Sequence, residues 1–283
     1  MGILDKLKKQ KEQPDVPPTG QLQLQEPDAD TFGSILFDRA DLDRKKFEET
    51  IVKNFGRESL VQVDNCHPSV THFVVQLEGV EFWCSYMPFP LPKEEGDIAL
   101  LLRVNLFISA EEQKALTDQK SFMLIAQKGG GKTLQEKAAV CLLYSQLCGA
   151  IMQVEGAAGF LLNSTGLLVG RGMYLKQTDI IKQSKGDPQF FPVALWVLVY
   201  PAATDNGTRT IETRGLEQFG FMELLFYAPK KEPPQYIEIL YVMACQQITG
   251  ERVYSNMDMI TFSEDHTSIL KQSDGKLAII GDI

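Results

Sequence analysis

Three glycines, a lysine and a threonine stand in a row in Ala126-Gln127-Lys128-Gly129-Gly130-Gly131-Lys132-Thr133. The apolar run Phe122-Met123-Leu124-Ile125 precedes them, and a long helix-forming segment, Leu134 to Gln153, follows. Strand, glycine loop, helix is the order of a phosphate-binding loop. There, successive backbone N–H groups surround phosphate oxygens at a helix N-terminus, a lysine reaches the outer phosphates and a hydroxyl holds Mg²⁺. Ala126 occupies the place of the usual first glycine, at the right distance from Gly131. Such a site also needs a carboxylate for the metal, usually at the end of a neighbouring apolar strand. The next apolar runs end instead in Asn163 and Pro201, with Asp205 beyond a loop. Gly129, Gly130, Gly131, Lys132 and Thr133 therefore read in three ways: a nucleotide site, a modest anion site without metal, or a connection whose glycines relax a strand-to-helix turn.

The second stretch with chemical character is Glu212-Thr213-Arg214-Gly215-Leu216-Glu217-Gln218-Phe219-Gly220-Phe221-Met222-Glu223. Two glycines around Leu216 and Phe219 suggest a looped connection between strands. Thr213, Arg214, Gly215 and Glu223 form either a structural motif, with Arg214 and Glu223 paired across the loop, or a cleft wall that presents Arg214 to an anionic ligand. The histidines, His67, His72 and His266, have no zinc-ligand spacing. Cys66 and His67 are adjacent, which rarely lets two side chains face each other, and no GxSxG or HExxH motif occurs. No catalytic set, metal or cofactor is expected.

Composition narrows the classes further. Apolar residues are 44% of 283, enough for a sizeable core, and 28 basic against 37 acidic residues give a net charge of −9. That balance argues against a nucleic-acid binder. Five cysteines without a CxxC pair read as reduced thiols, and the first residues lack the apolar region of a secretory signal, so a cytoplasmic setting is expected. Met1 to Lys11 sets Ile3, Leu4 and Leu7 on one helical face among Lys6, Lys8, Lys9 and Lys11. It is expected either to be solvated or to dock weakly on a protein partner or membrane surface. Glu12 to Asp30 has linker composition, with four prolines.

The elements that must position these residues follow from periodicity and breakers. Strands are expected at Ser34–Phe37, Leu60–Val63, Thr71–Leu77, Val80–Met87 and Ile98–Phe107, with a hairpin turn at Glu78-Gly79. Helices are expected through Phe55, with Asp41 as N-cap, and, capped by Ser109, from Ala110 to Leu116. After the long helix come a strand at Ala157–Leu162, a helix at Val169–Lys182 and strands at Val193–Tyr200, Thr208–Thr213 and Phe221–Tyr227. A helix from Pro233 to Ile248 and a strand at Met257–Phe262 complete the pattern. Hairpins and helices intersperse, so the fold class is α+β, with mixed or antiparallel sheets and packed helices. The expected division is arm and linker 1–31, halves 32–120 and 121–262 (two similar units or one continuous sheet), and a polar tail 263–283.

The TRGL run Thr213–Leu216 followed by Phe219-Gly220 and Glu223 resembles the signature of bacterial proteins that carry the domain of unknown function numbered 4261. Met87-Pro88 with Pro90 and Pro92, the GGGK loop before an apolar helix, Gly159-Phe160-Leu161, the Pro192-to-Tyr200 run and Met257-Asp258 extend the resemblance over roughly residues 32–262. It implies a bacterial, intracellular α+β protein and brings no established activity. The expected function is a non-enzymatic binding or interaction module with a protein partner; the alternative is nucleotide or anion binding through residues 126–133.

Overall fold

The computed structural model describes residues 32–280 except 68–69, 95, 106, 130, 185–186, 231 and 264–265. The basic arm, the linker and Gly130 lie outside the described residues, and so do the side chains of Cys66, His67 and His266.

The chain is α+β, built on two sheets. The first holds seven strands in the order β2-β3-β4-β5-β1-β6-β7, every neighbour antiparallel. They are β1 (Phe32–Phe37), β2 (Leu60–His67), β3 (Val70–Leu77), β4 (Val80–Met87), β5 (Ser121–Lys128), β6 (Ala157–Leu162) and β7 (Leu167–Gly170). Both faces of its centre are covered. Ile35 and Phe37 point to one core cluster and Leu36 to the other, and Met123 and Ile125 oppose Phe122 in the same way. Burial on two sides explains why β5 and β6 are continuous apolar runs without alternation. Helices α1 (Arg44–Phe55) and α4 (Leu134–Ile151) cover one face, and α2 (Ile98–Val104) and α3 (Ala110–Thr117) the other.

The second sheet runs β11-β12-β13-β10-β9-β8. Its strands are β8 (Leu198–Ala203), β9 (Arg209–Arg214), β10 (Glu223–Tyr227), β11 (Met259–Ser263), β12 (His266–Ser273) and β13 (Lys276–Ile280). The pairs are antiparallel except β10 with β13, which is parallel. Helix α5 (Arg171–Gln183) links the sheets, and α6 (Pro233–Thr249) packs on β8, β9 and β10 and against α4. Two prolines open α6 and a left-handed Gly250 ends it. Among the described residues no helix is long and apolar enough to cross a membrane.

Five expectations from the sequence change. Ile98–Phe107 is no strand: the Asp97 side chain accepts from the amides of Ala99 and Leu100 at 3.0 and 3.3 Å and starts a helix that Leu and Arg favour. The cap of α1 is Asp43 rather than Asp41. Leu167–Gly170 forms a strand before α5 begins at Arg171, two residues later than Val169. Val193–Leu195 is a single 3₁₀ turn after Pro192, and β8 begins only at Leu198. The sheets also divide between Gly170 and Leu198, not at 120/121, because β1 inserts between β5 and β6 and is completed only by residues 121–170.

The segment 263–283 is the sixth difference. It is a hairpin, β12–β13, that finishes the second sheet, with Leu270, Leu277 and Ile279 fully buried. The sequence shows one late apolar run, Leu277 to Ile280, but not the pairing with distant β10 that makes it a strand. If β13 is integral, Ile279→Ala costs about 2–5 kcal/mol in urea unfolding, while Ile280→Ala, 41% exposed beside it, stays within about 0.5 kcal/mol. Equal small losses at both positions contradict the hairpin's placement.

Candidate functional site

The glycine loop stands between β5 and α4, as its sequence requires, but the anion at this helix N-terminus belongs to the chain. Thr133 caps α4, its hydroxyl accepting from the Glu136 amide at 3.2 Å. The Glu136 carboxylate in turn accepts from the amides of Thr133 and Lys132, at 3.1 and 2.9 Å. Gly131 lies so close to the helix that a Cβ there would stand 2.4 Å from the Lys137 nitrogen. That closeness, rather than a phosphate, accounts for this glycine. The Gln127 side chain donates to the Gly129 carbonyl. Lys132 is exposed and makes no ion pair among the described residues. The neighbours of β5, β1 and β4, are both antiparallel to it.

The Thr213–Glu223 motif is assembled, in a different pairing from the expected one. Arg214 does not meet Glu223. Its guanidinium lies 5.0 Å from the Tyr200 ring centre and donates to the Tyr200 hydroxyl at 3.2 Å, on the exposed side of β9. Glu223 is buried and holds the loop after β9. It accepts from the amides of Gly215, Leu216 and Glu217 at 2.6, 2.8 and 3.4 Å, and from the Thr213 hydroxyl at 2.6 Å. Thr213 also accepts from the Leu224 amide at 2.7 Å. Gly215 has φ +121°, and a Cβ on it would meet the Trp196 carbonyl at 2.5 Å, so glycine is required there. Burial pushes the Glu223 carboxyl above its ordinary value, and its hydrogen bonds only partly offset that. Nearby, Glu212 goes the other way. Burial alone would raise it, but the Lys276 ammonium at 2.5 Å and the Thr210 hydroxyl at 2.7 Å outweigh that and lower it.

The described thiols are held in their protonated form. Burial pushes the Cys84 thiol up to about 12 and raises Cys141, Cys148 and Cys245 as well. His72 shares a hydrogen bond with Ser85 at 2.7 Å. Among the described residues no group of His, Cys, Asp and Glu could hold a metal ion.

The feature that sequence reasoning missed is a cleft of ≈540 Å³ between the outer strands of the two sheets. The outer strand of each sheet contributes: Leu167, Leu168 and Val169 from β7, Leu198 and Val199 from β8. Ile237, Tyr241 and Val242 of α6 and Met173 of α5 form the walls. Phe107 and Val242 line it while 55% and 53% exposed, which marks its mouth. Its ionisable lining groups are Glu238, Tyr241 and Cys245; none is a cation. Side chains hold both strand edges. Asn105 accepts from the Leu168 amide at 2.9 Å and donates to the Gly166 carbonyl at 3.3 Å. The Tyr241 phenol, pushed up to about 12 by burial, is hydrogen-bonded to the Val199 backbone. No motif marks these residues; they come from five separate segments, and only the fold gathers them.

No family model, curated protein or solved structure matched the chain. The likeness to the family named above therefore rests on its motif residues alone.

Two buried carboxyls with opposite shifts give a sign test. Glu223's raised value means that the cost of its charge is absent below 4.5, its ordinary value, and grows as pH rises through the folded value. Glu212's lowered value means that its contribution is present above 4.5 and is lost as pH falls through the folded value. In urea unfolding, the stability of the native chain relative to Glu223→Gln should fall as pH rises from 4.5 towards neutrality. Relative to Glu212→Gln it should fall as pH drops below 4.5. Slopes of the same sign for both variants contradict these environments.

Proposed function

We propose that the protein is a non-enzymatic binding module whose docking site is the cleft between β7 and β8. Its occupant is a polypeptide segment that carries apolar side chains on one side and positive charge around them. The observation that carries this reading is the lining: predominantly apolar, of ligand-pocket size, open at Phe107 and Val242, and with Glu238 as its charged group. An exposed apolar cleft of this size is retained at a cost in solubility, which is the usual mark of an interaction site. Because Asn105 and Tyr241 already bond the strand edges, the partner inserts side chains rather than adding a strand. The motif resemblance and the free thiols of Cys84, Cys141, Cys148 and Cys245 are the grounds for placing this activity in a bacterial cytoplasm.

Nucleotide binding through Gly129 to Thr133 is the competing proposal, and the Glu136 carboxylate argues against it by holding two of the amides a phosphate would need. Titrating MgATP or MgGTP into the intact chain and into Lys132→Ala should give no heat in either. Micromolar binding lost in the variant would restore the nucleotide reading.

The cleft is tested with N-phenyl-1-naphthylamine, a neutral apolar fluorophore, titrated into the chain from Gln13 onward. Binding is expected, and Val242→Lys at the exposed mouth should weaken it at least tenfold without moving Tm. An unchanged affinity in that variant overturns the assignment of the site.

A further inference from the structure

We infer that the first occupant of the cleft is the chain's own N-terminal segment, Met1–Lys11, docking in cis through Ile3, Leu4 and Leu7. This rests on the cleft being the docking site proposed above.

The argument begins with where the chain enters the fold. In β1, Gly33 pairs with Leu162 of β6, and Leu162 pairs with Leu167 of β7. Leu167 lines the cleft. The residues preceding Phe32 therefore join the fold two strand spacings from the site, about 10 Å at ~4.8 Å per spacing. Residues 12–31 separate the basic segment from Phe32. A stretch of that length can extend to about 65 Å. The tether thus reaches the cleft without being drawn taut, which raises the local concentration of the segment to the order of millimolar.

Chemistry selects this segment among the residues outside the described fold. Ile3, Leu4 and Leu7 have the spacing of one helical face, and the stretch carries Lys6, Lys8, Lys9 and Lys11 against one acid, Asp5. Residues 12–31 offer few large apolar side chains and several acids. Setting aside residues 1–31 leaves 24 basic against 31 acidic residues, a balance of −7 for the body of the chain. A basic segment is thus drawn to the body of the protein, and its three apolar side chains match a cleft whose charged lining group is Glu238. Three apolar anchors bind weakly on their own, which suits a segment that a partner displaces.

The test compares fluorophore titrations of the intact chain and of the chain from Gln13 onward. The intact chain should bind N-phenyl-1-naphthylamine at least fivefold more weakly. Substituting Ile3→Ser, Leu4→Ser and Leu7→Ser together in the intact chain should restore the affinity of the shortened one. A peptide of residues 1–12 should displace the fluorophore from the shortened chain, and its triple-serine version should not. Equal affinities of the intact and shortened chains overturn the docked segment while leaving the cleft assignment standing. Absence of binding to both chains overturns the cleft and the docked segment together.

Discussion

Helix α4 is the constraint on which the architecture depends. Thirteen of its residues, from Ala138 to Ile151, are buried, and they occur on every side of the helix. A helix without a polar face has no stable place on a surface; it needs a cover in each direction. The first sheet supplies one, through Phe82 and Phe160, whose rings meet Tyr144 edge-on. Trp196, just before the second sheet, supplies another: its ring lies 5.5 Å from that of Tyr144 and its indole donates to Ser145 at 2.9 Å. The polar atoms buried with them are satisfied locally. Tyr144 donates to the Ile125 carbonyl at 2.9 Å and Ser145 to the Cys141 carbonyl at 2.8 Å. At about 1.5–3 kcal/mol for each large apolar side chain withdrawn from water, this one helix accounts for much of the reason the sheets stay together.

A second regularity concerns anions. Three backbone sites that could receive a phosphate or carboxylate from outside are filled by the chain's own glutamates. Glu136 takes the amides at the start of α4, and Glu223 those of residues 215–217. Glu112 joins two elements: it closes the capping box of α3 on Ser109 and accepts from the Gly172 amide of α5 at 2.8 Å. Hydrogen bonds lower the Glu112 carboxyl despite the opposing effect of burial. Each such carboxylate replaces several unsatisfied donors by charge-assisted bonds. The same arrangement makes a glycine-rich or TRGL-like run look ligand-binding when read as sequence, because an internal and an external anion ask for the same backbone.

What was legible follows this division between local and long-range causes. Capping residues, turn glycines and apolar periodicity act within a few positions. Ser109, Gly250 and the Glu78-Gly79 hairpin accordingly stand where their sequence places them, while Thr133, read as a phosphate-loop hydroxyl, is a helix cap. Ile98–Val104 was misread because leucine-rich segments satisfy strand and helix patterns alike, and the deciding contact is the Asp97 cap. The last hairpin was missed because β13 is held by parallel pairing to β10, some fifty residues upstream, a partner that no local pattern announces. Arg214 and Glu223 were expected to pair because opposite charges flank one loop, yet burial turned one inward to amides while the other stayed with Tyr200.

The cleft is the least legible feature and follows from the other two. Each sheet ends in a short strand, β7 or β8, whose free edge would invite a further strand. Had those edges been open, the sheets could have joined into one across the gap. Asn105 and Tyr241 take up edge hydrogen bonds instead, and α6 packs beside the gap on β8 and against α4. The space left over is bounded by the inward-facing residues of strands that belong to cores, and is therefore apolar. Among the described residues Glu238 is its one charged lining group. The proposed occupant, apolar side chains flanked by lysines, is the complement of that lining.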